Sequence, residues 1–365
     1  MSFSDNGIFD AELREHCLKL NDLLNNVTIQ DYYEHLMNKT NEIYDEIRIV
    51  GILVSKILFV DLSEIVTILH DFQRDQQISE RDHYYHSIQC FLLAIVLFKK
   101  FYRSNQIPNN IIAILYSLTM YHDVGYLYKS TKVSEDQINK YLADIFLCSN
   151  EINKNKKFMI LCLREKPYQP NEIIKFINDK IINTKDIANI WSSEELKNQA
   201  LLKSNIDPLT IPIEYKKGHA YKSTLMLARL LFIKIIILEY CASTYEIDIH
   251  NEEIDWFKEV IKAIYNHGHK TFSPPLNRTS DFYSVYLMII DELQTYGRLL
   301  SEDTRHTLIN PKDVGFHWDT VHPNKLVSDI ITTDPKLVKE CSVHNCRKIK
   351  SKLIKRIDKK SLDII

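Results

Sequence analysis

Apolar residues return along most of this chain at three- and four-residue spacing, the period of a helix that lays one face on a core. Within residues 9–38, Leu13, Leu18, Leu20 and Leu23 recur on roughly that spacing, which predicts one helix or two, and a further helical pair is expected over 39–76. The stretch "SERDHYYHSIQCFLLAIVLFKKFYR" opens with a candidate cap at Ser79 and predicts a helix to about Arg103, ended by Asn105 and Pro108. "NNIIAILYSLTMYHD" predicts the next helix, over about 109–122, stopped near Gly125. Ser134 and Gln137 have the spacing of a capping box at the head of another. "GHAYKSTLMLARLLFIKIIILEY", about 219–240, is apolar on most sides and predicts a centrally buried helix. A helix over about 251–267 starts at Asn251 with acidic first-turn residues, and a last one starts at Ser280 or Asp281.

Two stretches break the pattern. Residues 150–210 mix polar loops with short helical pieces and read as an insertion or lid. Residues 301–335 look irregular, with a hairpin expected around 315–333, and a basic tail follows. The expected organisation is an N-terminal helical region (1–78), a core (79–300) carrying the 150–210 insertion, and an irregular region with its tail (301–365). No internal repeat is visible.

Composition points toward a helical, all-α chain, although the abundant isoleucine leaves some strand possible. The 365 residues are 45% hydrophobic, enough for a sizeable core, and include 7 glycines and 10 prolines against abundant leucine and isoleucine. The formal net charge of −2 excludes a global basic field for nucleic acid. The tail "RKIKSKLIKRIDKK" offers phosphate contacts, but a solvated terminal helix is the preferred reading. The 7 cysteines are scattered, which fits a reducing compartment, and with no secretion signal a cytoplasmic location is expected. Cys341, His344 and Cys346 match no standard zinc spacing. "CFLLAIVLF" is too short to span a membrane, and "LLFIKIIILEY" is broken by Lys234 and Glu239. Oligomeric state leaves no mark in the sequence.

The candidate chemistry starts at "TMYHDVGYLY", where a long apolar run ends in His122 and Asp123. Two adjacent polar side chains at the end of such a run cost desolvation unless something binds both, and a metal ion does that. His86, His219, His267 and Asp291 stand in or beside four other apolar helices. A lone histidine on an apolar face is usually a satisfied core residue, but a lone buried carboxylate is rarely tolerated. Six such residues are better explained together, by an ion or ions that accept imidazole nitrogen and carboxylate oxygen.

This ordered set resembles the HD superfamily of metal-dependent phosphohydrolases, an all-helical family named for its His-Asp doublet. "RDHYYHSIQCFLLA" is similar to the family's first element, with His86 as the matching histidine; "HDVG" is similar to the doublet phrase; "LMIIDELQTYGR" is similar to the last one, with Asp291 as its aspartate. "GHAYKS" and "AIYNHGH" are similar to the two further histidine elements of members that hold two metals, giving His219 and His267. The resemblance covers roughly residues 80–300 and implies one or two divalent ions per chain, of manganese, iron, zinc or magnesium, or nickel or cobalt in vitro. It implies that His86, His122, Asp123 and Asp291 hold one ion, and that Asp123 bridges to a second held by His219 and His267. The paired histidines and the "GYP" phrase of the cyclic-dinucleotide subgroup are absent, and Tyr126 stands where that subgroup has a lysine.

The implied reaction is hydrolysis of a phosphate ester, with a nucleotide, cyclic nucleotide or other phosphorylated small molecule as substrate and no membrane partner. Asp123, His83 and Lys222 are the residues expected to act in catalysis. His83 shares a helical face with His86, and Lys222 lies three residues past His219. Lys129 is a second candidate phosphate contact, His269 a candidate supporting group, and Tyr85 and Tyr121 candidates for stacking on a base. Arg298 is expected to pair with Glu292 or a helix end. Two other readings are a non-catalytic HD-fold nucleotide-binding regulator and a di-iron oxygenase of the same fold. All of them require five separated points of the chain to converge, with Asp291 beside the 122–123 pair.

Overall fold

The computed structural model describes residues 11–23, 41–57, 83–102, 107–129, 136, 193–245, 252–269 and 281–293. Eight α-helices lie among them: α1 (Ala11–Leu23), α2 (Asn41–Ile57), α3 (His83–Tyr102), α4 (Asn109–Tyr121), α5 (Glu194–Lys203), α6 (His219–Tyr245), α7 (Glu252–His267) and α8 (Phe282–Leu293). Short 3-10 turns occupy Val124–Lys129, Pro208–Thr210 and Tyr215–Lys217. No strand occurs among the described residues, so the fold is all-helical as the composition implies. None of these helices is long and apolar enough to cross a membrane. The Ser79 cap, the Ser134 capping box, the 315–333 hairpin, the basic tail, the 341–346 group and Arg298 lie outside the described residues, as do the side chains of His83, Tyr85, Lys129 and Glu292.

Helix α4 is the axis of the bundle, touching α1, α2, α3, α7 and α8. Every side chain from Ile111 to Tyr121 is buried. Its serine and threonine hydroxyls are tolerated because each bonds back to its own helix: Ser117 Oγ donates to Ala113 O at 2.9 Å and Thr119 Oγ1 to Leu115 O at 2.8 Å. Pro108 caps the start without a side-chain bond, its carbonyl taking the amides of Ile111 and Ile112. Helix α6 is buried continuously from Ser223 to Phe232, but against α5, α7 and the 124–129 turn. The helix at the centre is therefore the shorter α4, whose neighbours close on all sides.

Within the mixed stretch before residue 210 stands α5, whose ends are both signalled. Ser193 Oγ accepts from Leu196 N at 3.1 Å, and Glu194 and Glu195 lie in the first turn. At the other end Asn205 takes the left-handed conformation (φ 60°), Ile206 N donates to Leu201 O, and Asn205 N to Leu202 O. This pairing is a complete Schellman stop, with buried Ile206 and Leu201 as its apolar contact.

Polar clasps fix the helix pairs. Tyr286 Oη donates to Ala94 O at 2.6 Å, joining α8 to α3, and Asn266 Nδ2 donates to Ser284 Oγ at 3.0 Å, joining α7 to α8. Glu46 of α2 is buried and takes His16 at 2.8 Å and Lys19 from α1. Burial pushes the Glu46 carboxyl up, but hydrogen bonds from Lys19 and His16 outweigh it and hold the group below its ordinary value. A depressed carboxyl adds stability above the unfolded pKa and loses it as pH falls through the folded one. Glu46→Gln should therefore destabilise the protein at pH 7 by about 1–3 kcal/mol. Urea unfolding of both proteins should show that gap shrinking toward zero in acid; a gap that is equal at pH 7 and in acid would rule out the ionic origin.

Candidate metal centre

Five segments meet at one end of the bundle. α3 and α6 arrive by their N-terminal ends, bringing His86 and His219; α4, α7 and α8 arrive by their C-terminal ends, bringing His122 with Asp123, His267, and Asp291. Three C-terminal ends direct partial negative charge at this point, which suits a cation. His86, His122, Asp123 and His267 are buried, while His219 and Asp291 keep 25% and 20% of their side chains exposed. The pocket is closed behind and open on the His219–Asp291 side.

The spacing of donor atoms is that of ligands around an ion. His86 Nε2 lies 3.1 Å from Asp291 Oδ1 and 3.8 Å from Asp123 Oδ2. His122 Nε2 lies 3.5 Å from Asp123 Oδ2 and 3.8 Å from Asp291 Oδ1. Metal–nitrogen and metal–oxygen bonds of about 2.0–2.2 Å put neighbouring ligands of a tetrahedral ion roughly 3.4 Å apart. Asp123 faces two ways: Oδ2 toward His86 and His122, and Oδ1 toward His219 Nε2 at 3.3 Å. The His267 ring stands 5.2 Å from that of His122 and 5.5 Å from that of His219. Two overlapping donor groups result, one of His86, Cys90, His122 and Asp291, the other of His122, Asp123 and His267.

Neighbouring groups orient the imidazoles. His122 Nδ1 donates to Thr119 O at 2.7 Å and His267 Nδ1 to Ile264 O at 3.0 Å, each to the carbonyl three residues back. A carbonyl only accepts, so the proton sits on Nδ1 and the Nε2 lone pair of the neutral ring is left for a metal. His122 Nε2 is fully buried and has no hydrogen-bond partner among the described residues. A buried donor nitrogen beside two carboxylates and two further imidazoles is one that a metal ion would satisfy. The donor set of imidazole, carboxylate and thiol fits a divalent ion.

Ser223 locks the doublet turn onto α6. Its Oγ accepts from Gly125 N at 2.7 Å and donates to His122 O at 2.8 Å. A Cβ on Gly125 would collide with the His219 carbonyl oxygen and lie 2.6 Å from Ser223 N. Only glycine lets the chain after the doublet approach the start of α6 this closely. Tyr126 then stacks on the His219 ring, with centroids 4.2 Å apart and planes 16° from parallel.

Charge in the cluster is unevenly held. Burial disfavours the His122 imidazolium, but the Asp123 and Asp291 carboxylates outweigh burial and raise its proton affinity above the ordinary value. Burial, helped by charge on His122, pushes His267 down to about 3, so that ring is neutral at physiological pH.

All six residues singled out from the sequence meet here, including Asp291, the most distant in sequence from the doublet. Lys222 lies one turn beyond His219, its ammonium 5.0 Å from the centre of the Tyr128 ring. His269 stacks on Tyr215 at 4.1 Å with its edge to Tyr265. Tyr121 corrects an expectation: it is fully buried, edge-on to Tyr116 in the core, and offers no face to a base. Cys90 and Ser223 were not anticipated. Each stands four residues after a singled-out histidine, on the same helical face, which is the one signal the sequence held for them.

Ser223→Ala would strand a buried amide and a buried carbonyl together. A loss of about 2–4 kcal/mol is expected, read as a lower melting temperature, with metal affinity reduced about 10- to 100-fold by isothermal titration. Unchanged metal affinity in a folded Ser223→Ala protein would show that the clamp does not position the doublet. No protein-family model, no curated protein and no solved structure matches the chain, so the functional argument rests on the geometry and chemistry of this cluster.

Proposed function

We propose that the protein is a metal-dependent hydrolase of a phosphate ester, with a nucleotide or cyclic nucleotide as the favoured substrate class. The observation that carries this reading is the convergence of four imidazoles and two carboxylates on one half-open pocket, with the Nε2 atoms of His122 and His267 turned inward by their Nδ1 bonds. The similarity of the ordered residues to the HD superfamily supports it. When bound, a divalent ion acidifies a water and offsets the negative charge that collects on a phosphoryl group under attack.

The chain's own residues supply the rest. His86, His122, Asp123 and Asp291 would hold one ion. Asp123 also turns its Oδ1 toward His219, which supports a second position held with His219 and His267. A phosphate ester would enter from the side where His219 and Asp291 are exposed. Lys222, on the turn of α6 that follows His219, would meet its anionic oxygens as a point charge. Tyr126 and Tyr128 are half-buried beside these residues, the Tyr126 ring flat on His219 and the Tyr128 ring under the Lys222 ammonium. His83, the first residue of α3 and three residues before His86, is carried as a further candidate phosphate contact.

Elemental analysis of protein prepared without chelator should find between one and two manganese, iron or zinc ions per chain. With Mn²⁺ present, a panel of p-nitrophenyl phosphate esters, cyclic nucleotides and nucleoside triphosphates should reveal turnover that Asp123→Ala reduces at least about a hundredfold. Lys222→Met should raise KM about tenfold, the value of one charge-assisted hydrogen bond. A metal-loaded protein inert on the whole panel, or an Asp123→Ala variant with full activity, would overturn the assignment.

A further inference from the structure

Resting on the reading of the cluster as a site for two ions, we propose that Tyr215 is a positioning residue for the second of them. It sets the spacing of His219 and His267, and with it the position those rings share with Asp123. Tyr215 opens the 3-10 turn Tyr215–Lys217, just ahead of His219 at the start of α6. Its hydroxyl donates to the carbonyl of Tyr265 on α7, next to the Ile264 carbonyl that fixes His267 Nδ1. Its ring stacks on His269, with centroids 4.1 Å apart and planes 18° from parallel, and meets the Tyr265 ring edge-on at 5.0 Å.

These contacts hold together the chain beside two of the imidazoles. Gly218 N donates to Tyr215 O at 2.9 Å, so the turn runs directly into His219. His269 N donates to Asn266 O at 3.1 Å, so the chain folds back over the end of α7 just past His267. Gly268 lies between, against α6: a Cβ there would collide with Ala220 Cβ and stand 3.0 Å from the Tyr215 ring. The His219 and His267 rings are thereby held 5.5 Å apart, with His219 Nε2 at 3.3 Å from Asp123 Oδ1. The His86 side is tied by other bonds, His122 through Thr119 O and α8 to α3 through Tyr286 and Ala94 O. Loss of Tyr215 therefore loosens one ion position and leaves the other. The competing account is ordinary aromatic packing of a loop, whose loss would lower stability without discriminating between ions.

Titration of the full metal-free chain with Mn²⁺, followed by calorimetry and low-temperature electron paramagnetic resonance, separates the two. The wild-type chain should take up two ions, the second producing the multiline signal of a spin-coupled manganese pair. In Tyr215→Ala the second ion should bind about 10- to 100-fold more weakly, while the first stays within about threefold of wild type. The coupled signal should then give way to the spectrum of isolated manganese. Tyr215→Phe keeps the ring and loses the hydroxyl. It should recover the coupled signal, with second-ion affinity down about three- to tenfold, the value of one hydrogen bond. Equal weakening of both ions, or an unchanged second ion in Tyr215→Ala, would overturn the role of Tyr215. A wild-type chain that holds a single ion would overturn it too and leave the one-ion reading standing. Absence of any manganese uptake would remove the metal reading and this inference together. If Tyr215→Ala does not fold, Tyr215→Phe decides: a fall confined to the second ion supports the role, and no change refutes it.

Discussion

Asp123 is a carboxylate with 3% of its surface exposed, placed at the closed end of a helical bundle where the Asp291 carboxylate borders the same His86 and His122 imidazoles. Burying an ionised group costs several kcal/mol after all relaxation, and burying two near each other costs more. Something positive must share the pocket. The two carboxylates favour positive charge there, raising the proton affinity of His122 against the full opposition of burial. The field that favours a proton there is the field a divalent cation would meet, and the cation would satisfy several donors at once where a proton satisfies one.

The bundle is arranged around that requirement. α4 is buried on every described face, so its direction is fixed by packing with five neighbours. Where it ends, the doublet emerges with no freedom left except in the turn. Ser223 removes that freedom by holding both the His122 carbonyl and the Gly125 amide. The same residue sits one turn after His219, so a single hydroxyl ties the doublet to the start of α6 and sets the distance between Asp123 and His219. Tyr286 and Asn266 do the corresponding work for α8 and α7 through Ala94 and Ser284. Precision at the pocket thus comes from hydrogen bonds one layer behind the ligands, on rigid helices.

What could be read from the sequence follows the same division. Helical periodicity placed α3, α4, α6, α7 and α8 to within a few residues because their apolar faces are long and regular. Polar groups at apolar helix ends marked His86, His122, Asp123, His219, His267 and Asp291 because a buried ionisable side chain is conspicuous at a single position. Ser223 was invisible, since a serine in an apolar helix usually bonds back to its own carbonyls, as Ser117 does. Cys90 was hidden in the opposite way, as one more apolar letter in "CFLLAIVLF". Which of two apolar helices takes the centre was also illegible: α6 is the longer and as hydrophobic to the eye, but centrality depends on how many neighbours close around a helix. Tyr121 was misjudged for a related reason, since adjacency to His122 in sequence turns its side chain about 100° away, into the core.

The exposure of the six residues separates holding from reacting. His86, His122 and His267 are sealed from solvent, so they act only on what is already bound. His219 and Asp291 border the opening, and Asp123 turns one oxygen toward His219 and the other toward His86 and His122. Under the proposed reading a substrate would meet the turn of α6 carrying His219 and Lys222, where the Tyr126 ring lies flat against His219. A neutral apolar ligand would gain little from that approach, because the wall it meets is imidazole, carboxylate and ammonium. A ligand with several anionic oxygens and one planar group fits it in kind, since cations take the oxygens and a tyrosine face takes the plane. That match of chemistry, more than the presence of a metal site by itself, directs the reading toward a phosphate ester.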